Sequence, residues 1–177
     1  MSLSNYRKHC TSNETYIHLF NELVTSFGGP NHTQLYTDAS KDLDNVAYAV
    51  VDKSGNTILT KSLSNISSIF TAEAAGIFQA INIANLNNKN FVIYSDSLSV
   101  LTAINNPSNN KWQTVNKIRD SLIKANNKIK IAWIPGHVGI RGNNFADAAA
   151  KYGCSAPIIT DPTIEKNDLR SSVLSKG

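Results

Sequence analysis

Phe91-Val92-Ile93-Tyr94-Ser95-Asp96 decides the fold. Four consecutive apolar or aromatic residues read as a strand buried on both faces, and an acid follows at its C-terminal end. Beyond it, Leu98, Leu101 and Ile104 mark a short helix ended by Asn105-Asn106-Pro107, and Trp112, Val115, Ile118, Leu122 and Ile123 mark another. A second strand then runs over Ile129–Ile134. Two strands joined through helices demand a right-handed parallel crossover. On the N-terminal side, Ile77, Ala80, Ile81 and Ala84 follow the i, i+3, i+4, i+7 rule and predict a helix over Thr71–Leu86 with one buried face. Three strand-like runs precede it, Gln34–Thr37, Val46–Val51 and Thr57–Leu63. Their short links, with turn chemistry at Asp52-Lys53-Ser54-Gly55, imply an antiparallel meander. A last helix, Phe145–Tyr152, is expected to close at Gly153. The fold class is therefore α/β, a five-stranded mixed sheet of three antiparallel strands and then two parallel ones, flanked by helices in the order β-β-β-α-β-α-α-β-α.

The 177 residues suit one domain. Residues 1–33 read as an N-terminal helix and linker, because Ile17, Phe20, Leu23, Val24 and Phe27 recur at helical spacing before Gly28-Gly29-Pro30-Asn31. Residues 34–153 form the domain proper, and 154–177 read as a polar, loosely attached tail with Pro157 and Pro162. No run approaches the roughly 18 apolar residues of a membrane span, and the first 16 residues lack the apolar stretch of a secretory signal. The expectation is a soluble intracellular protein, cytoplasmic or nuclear, with no membrane partner. Cys10 and Cys154 lie far apart with no zinc-type spacing, which fits reduced thiols. The formal charge is +4, a mild bias toward polyanions.

Four acids stand where an acid is either awkward or well aimed. Asp38 interrupts Tyr36-Thr37-Asp38-Ala39-Ser40, where strand propensity disfavours it; an ordinary role would be a turn aspartate after a short strand. Glu73 falls in the first turn of the predicted long helix, where the dipole favours a carboxylate, but it shares a face with Ile77, Ala80 and Ala84 and so points to the sheet. Asp96 sits at the strand edge where open α/β sheets place ligands, and would otherwise serve as a helix N-cap. Asp147 would otherwise pair with Lys151 at i+4. A glycine-rich loop carrying one histidine, Pro135-Gly136-His137-Val138-Gly139-Ile140-Arg141-Gly142-Asn143, links the last strand to the last helix.

Taken in order, Thr-Asp-Ala-Ser at 37–40, Thr-Ala-Glu at 71–73, Ser-Asp-Ser at 95–97 and the 135–143 loop followed by Ala-Asp at 146–147 resemble ribonuclease H. They most resemble the ribonuclease H domains of non-LTR retrotransposon polyproteins, over residues 34 to 153. The resemblance implies a ribonuclease H-like fold and hydrolysis of the RNA strand of RNA–DNA hybrids to 3′-hydroxyl and 5′-phosphate ends, in retroelement reverse transcription. It makes Asp38, Glu73, Asp96 and Asp147 metal ligands and His137 a catalytic residue of the loop. The cofactor implied is Mg²⁺, two ions, with Mn²⁺ as the alternative. The physics agrees: four carboxylates in one site repel, and hard divalent cations neutralise them. His137 is suited to proton movement or product release. Partners are the hybrid and a reverse transcriptase domain of the same polyprotein.

Substrate contacts are expected at Ser40, Ser68, Ser97 and Asn143, with Ser68 matching a hydroxyl position used on a DNA phosphate. Asn144 stands where related sequences often have Glu, Ala39 where many have Gly, and Ile69 and Phe70 where cellular enzymes have amides. The segment between Asp96 and His137 is too short for the extra basic helix of many cellular enzymes. Lys111, Lys117, Arg119, Lys124, Lys128 and Lys130, offset only by Asp120 and with Trp112 among them, suggest a basic helix that tracks a strand; an ordinary solvated lysine face is the other reading. Two rival functions are a module of this fold that has lost catalysis and only binds nucleic acid or connects domains, and a transposase or integrase.

Overall fold

The computed structural model describes residues 11–87, 89–106, 108, 111–125, 128–155 and 161–174. Cys10 and Pro107 lie outside them. The strands are β1 (Thr33–Lys41), β2 (Val46–Asp52), β3 (Thr57–Leu63), β4 (Phe91–Ser95) and β5 (Ile129–Trp133). They form one sheet in the order β3-β2-β1-β4-β5. β1 pairs antiparallel with β2 and parallel with β4, and β4 pairs parallel with β5, the mixed arrangement expected.

Helix α1 (Asn13–Ser26) precedes the sheet, α2 (Ile69–Asn85) follows β3, α3 (Leu98–Asn105) and α4 (Gln113–Lys124) join β4 to β5, and α5 (Arg141–Cys154) and α6 (Lys166–Leu174) end the chain. One face of the sheet packs Leu35, Val50 and Ile93 against Ile77, Ala80 and Ile81 of α2, Val100 of α3 and Ile118 of α4. The other packs Tyr36, Val92, Tyr94 and Ala132 against Ala146 of α5 and Tyr16, Phe20 and Leu23 of α1. Phe20 meets Tyr94 edge to face and Tyr94 stacks on Tyr36, both with centroids 5.1 Å apart. Aromatic contacts of this kind add about 0.5–1.5 kcal/mol each beyond the area they bury. Helix α1 thus covers the sheet beside α5 and is part of the core, where the sequence suggested a helix with a linker.

Four boundaries differ from the sequence reading, and each matters for the site. β1 runs on to Lys41 because β2 pairs with it through Val46, so Asp38 is a mid-strand residue and not a turn aspartate. α2 starts at Ile69, with Ser68 as N-cap accepting from the Thr71 N–H, so Glu73 lies beyond the first turn. α5 starts at Arg141, four residues early, which makes Gly142 and Asn143 helical and buried. Gly153 lies inside α5 and closes nothing; it lets the helix sit on Ala47 and Thr60, where a Cβ would stand 2.9 and 2.6 Å from their methyl carbons. The buried Cys154 thiol donates to the Ser40 carbonyl at 3.2 Å, and no disulfide holds it.

The tail differs most. Residues 161–174 are docked, not loose: the Asp161 N–H donates to the Ser62 carbonyl on the edge strand β3, and α6 then crosses to the N-terminal ends of α2 and α4. Gly142 tests the packing of the other face. A Cβ there would overlap the Tyr36 ring, which is fixed between Phe20 and Tyr94. Gly142→Ala is therefore expected to lower unfolding stability by about 1–3 kcal/mol, read from the urea midpoint at constant m-value. An unchanged midpoint would show that the ring can yield.

Candidate active site

Register builds the site. The last parallel pair between β1 and β4 is Thr37 with Ser95, so the residues that follow, Asp38 and Asp96, stand side by side on neighbouring central strands at the C-terminal edge of the parallel half of the sheet. Helix α2 brings Glu73 in from one face, and α5 brings Asp147 from the other. One carboxylate oxygen each of Asp38, Glu73 and Asp96 lies within 4.8 Å of the others. Asp96 is not an N-cap: Ser97 takes that place at α3, and the Asp96 carbonyl accepts from the Leu98 N–H and the Trp133 indole N–H, both at 3.0 Å. Its carboxylate is left for the cluster.

Asp38 is 6% and Glu73 8% exposed, so both charges are largely removed from water. Burial, with Asp96 repelling it, pushes the Asp38 carboxyl up to about 7, against a hydrogen bond from the Ala39 N–H at 2.7 Å. Burial and the charges of Asp38 and Asp96 push Glu73 well above the usual carboxylate range, and its Oε2 has no hydrogen-bond partner. Burial also raises Asp96, while the Asn143 amide, donating at 3.3 Å, pulls it back. A buried acceptor left without a donor and three carboxylates held close together fit a hard cation bound through oxygen.

Asp147 stands outside that trio. Lys151 donates to its Oδ2 at 2.8 Å, the i+4 pair that the sequence offered as its ordinary role. His137 is exposed at the turn of the loop with φ 59°, a left-handed conformation that His adopts more readily than most residues. Gly136 lets this loop close on Asp96, since a Cβ there would overlap the Asp96 carboxylate. Asn143 is fully buried and acts on Asp96. Ser97 is half-buried beside Asp96; Ser40 is half-buried at the end of β1; Ser68 caps α2 and meets the Thr71 hydroxyl at 3.1 Å.

The basic stretch divides. Lys117 and Lys124 are exposed on α4, and Lys111 is exposed just before it. Arg119 turns inward to the carbonyls of Ala103, Ile104 and Asn106, where a cation satisfies the end of α3. Lys130 lies on the opposite face, 5.2 Å from the Phe27 ring centroid, and Lys128 follows the helix. Phe70 packs on Trp112 with centroids 4.4 Å apart, so the position that differs from cellular enzymes serves an aromatic pair at the α2–α4 junction.

Residues 30–155 match the family model of RNase H, and the chain belongs to that family. A search of curated proteins finds no match. Among solved structures, the native protease-reverse transcriptase of prototype foamy virus superposes with a TM-score of 0.58 at 21% identity, covering 73% of this chain and 22% of that one. The foamy viral protease-reverse transcriptase in complex with an RNA/DNA hybrid gives 0.56 at 19%, covering 70% and 20%. A structure of that protein with double-stranded DNA gives 0.56 at 20%, covering 71% of this chain and 95% of that one. The likeness establishes the ribonuclease H-like fold; this chain spans about a fifth of the length of the first two.

The raised carboxyls carry a sign. A carboxyl whose folded pKa exceeds its unfolded value binds more protons when folded, so stability falls as pH rises from the ordinary value of 3.8 toward the folded value of about 7 for Asp38. In chelator, Asp38→Asn is therefore expected to melt above the wild type by more at about pH 8 than at about pH 5, the advantage vanishing only as pH falls below the ordinary value of 3.8. A melting difference independent of pH would contradict the repulsion assigned to this cluster.

Proposed function

We propose that the protein is a metal-dependent endonuclease that cuts the RNA strand of RNA–DNA hybrids, leaving 3′-hydroxyl and 5′-phosphate ends, in retroelement reverse transcription. The observation that carries this reading is the trio of the buried Asp38 and Glu73 with the half-buried Asp96, which repels itself unless a cation joins it. Asp38, Glu73 and Asp96 would hold Mg²⁺, or Mn²⁺ as the alternative, with Asp147 completing the set once it leaves Lys151. Two such ions, when bound, supply an activated water and neutralise the leaving 3′ oxygen.

The remaining steps fall to side chains of this chain. Asp38, held by the Ala39 N–H, would share the metal with Glu73 and Asp96, its carboxylate lying within 4.8 Å of theirs. Asn143 keeps Asp96 oriented through one amide hydrogen bond and, being 1% exposed, acts on substrate through Asp96 and not by direct contact. His137, exposed on its loop, moves a proton to or from the cleaved strand and assists release. Ser40 and Ser97 flank the trio as hydroxyl contacts. Ser68, Trp112, Lys117 and Lys124 form the face along which the partner DNA strand lies, as an electrostatic and stacking surface. Lys124 stands at the far end of that face, the last residue of α4 and about 16 Å along that helix from its first residue, Gln113, at 1.5 Å per residue. A reverse transcriptase segment and an intracellular setting complete the proposal.

A module that only binds nucleic acid is the weaker reading, since binding gives no reason to bury Asp38 and Glu73 beside Asp96 with no salt bridge to any of them among the described residues. Incubating a labelled hybrid with the chain and Mg²⁺, beside duplex DNA and duplex RNA, is expected to give cuts in the RNA strand of the hybrid alone. Asp96→Asn should abolish cleavage and retain hybrid binding. Hybrid binding without cleavage by the wild type would favour the inactive module, and no binding would reject both. The α4 face is tested by salt. Replacing Lys117 and Lys124 with Ala should reduce the slope of log affinity against log salt by about two without moving the cut site, since phosphate contacts carry no base readout. An unchanged slope would leave these lysines as a solvated face.

A further inference from the structure

Residues 161–174 lie beyond the stretch matched by the family, yet three of their acids are among the most buried charged groups of the described structure. Asp161 is 4%, Glu165 2% and Asp168 4% exposed. Among the described residues none of the three makes a salt bridge with Lys or Arg. Neutral donors receive all of them. The Tyr48 hydroxyl donates to Asp161 at 2.5 Å and the Thr71 hydroxyl to Asp168 at 2.6 Å. The two oxygens of Glu165 accept the N–H groups of Thr114 and Gln113 at 2.7 and 3.0 Å. Trp112, the N-cap of α4, offers no side-chain cap of its own, so Glu165 supplies the cap from outside the helix.

These contacts converge on the proposed substrate face. Glu165 fixes the first turn of α4, which carries Trp112 against Phe70 and sets the direction of Lys117. Asp168 fixes the Thr71 hydroxyl, whose other neighbour is the Ser68 hydroxyl at 3.1 Å. Asn167 reaches the Lys111 carbonyl at 3.3 Å. Burial of every one of these carboxylates argues that they hold the wall and do not compete for it, since a competitor must be displaceable.

Resting on the proposed function, we propose that Glu165 is a positioning residue for substrate: it acts through Trp112 to set the strand-binding face, and the segment 161–174 belongs to the functional unit. In the full chain, Glu165→Ala should raise KM for the hybrid by about fivefold and weaken hybrid binding in Ca²⁺ to match, with kcat and the Mg²⁺ requirement unchanged. In a Trp112→Ala background the same substitution should add nothing to KM, because its effect passes through that ring. Glu165→Gln, which keeps one acceptor, should fall between wild type and Ala, and gives the same reading should the Ala variant fail to fold. A lower melting temperature with unchanged KM would overturn the proposal and leave only a stabilising strap. Tighter hybrid binding would overturn it in favour of competition with the strand. Additive effects of Glu165→Ala and Trp112→Ala would overturn the route through Trp112. A wild type that neither binds nor cuts hybrid would reject the proposed function and this inference together, whereas unchanged variants of an active wild type would reject this inference alone.

Discussion

Mutual repulsion of three desolvated carboxylates is the constraint around which the rest of the molecule is arranged. Left in water, Asp38, Glu73 and Asp96 would separate; here the β1–β4 register fixes two of them on adjacent strands and α2 presses the third against them. Strands buried on both faces make that register costly to slip, because a one-residue shift would exchange the side chains fitted to the two different helix layers. The sandwich of α2, α3 and α4 on one face and α1 and α5 on the other therefore serves the site directly: it is what prevents the acids from relaxing apart.

The same logic explains the small residues around the site. Gly136 leaves room for the Asp96 carboxylate under the loop, and Gly142 leaves room for Tyr36 under α5. Asn143, the residue after Gly142, is thereby delivered to Asp96. Asp147 is the member least constrained by packing. Half-exposed and paired with Lys151, it has a counter-charge that the other three lack, so it can join or leave the cluster at small energetic cost, as exposed i, i+4 pairs contribute only about 0.3–0.5 kcal/mol.

Much of this was legible in the sequence, because the relevant signals are periodic or local. The strand Phe91–Tyr94, the face of α2 and the glycine-rich loop each carry their own pattern and together point to the topology, while the four acids are singled out by the resemblance to ribonuclease H, and the structure gathers Asp38, Glu73 and Asp96 of them. Boundaries near the site were misread for physical reasons. Strand pairing carried β1 past an aspartate that propensity alone would exclude, and packing against Tyr36 drew Gly142 and Asn143 into α5. The docked tail was invisible because it attaches through Asp161, Glu165 and Asp168, and a search for apolar periodicity reads such acids as solvated. Asp161 and Glu165 precede α6 and only Asp168 lies in it, so no single helical period links the three. Arg119 was counted with the basic track for the matching reason: its sequence neighbours are lysines, but its guanidinium completes α3.

Calorimetric titration of the full chain with Mg²⁺ at about pH 7, repeated in buffers of different ionisation enthalpy, tests the central claim most directly, because it counts protons without requiring activity. With Asp38 poised at about 7 and Glu73 held well above the usual range, binding should release on the order of one proton per chain, and Asp38→Asn should reduce that release. Binding with no buffer dependence would mean that the carboxylates are already ionised and that repulsion is not what the metal relieves.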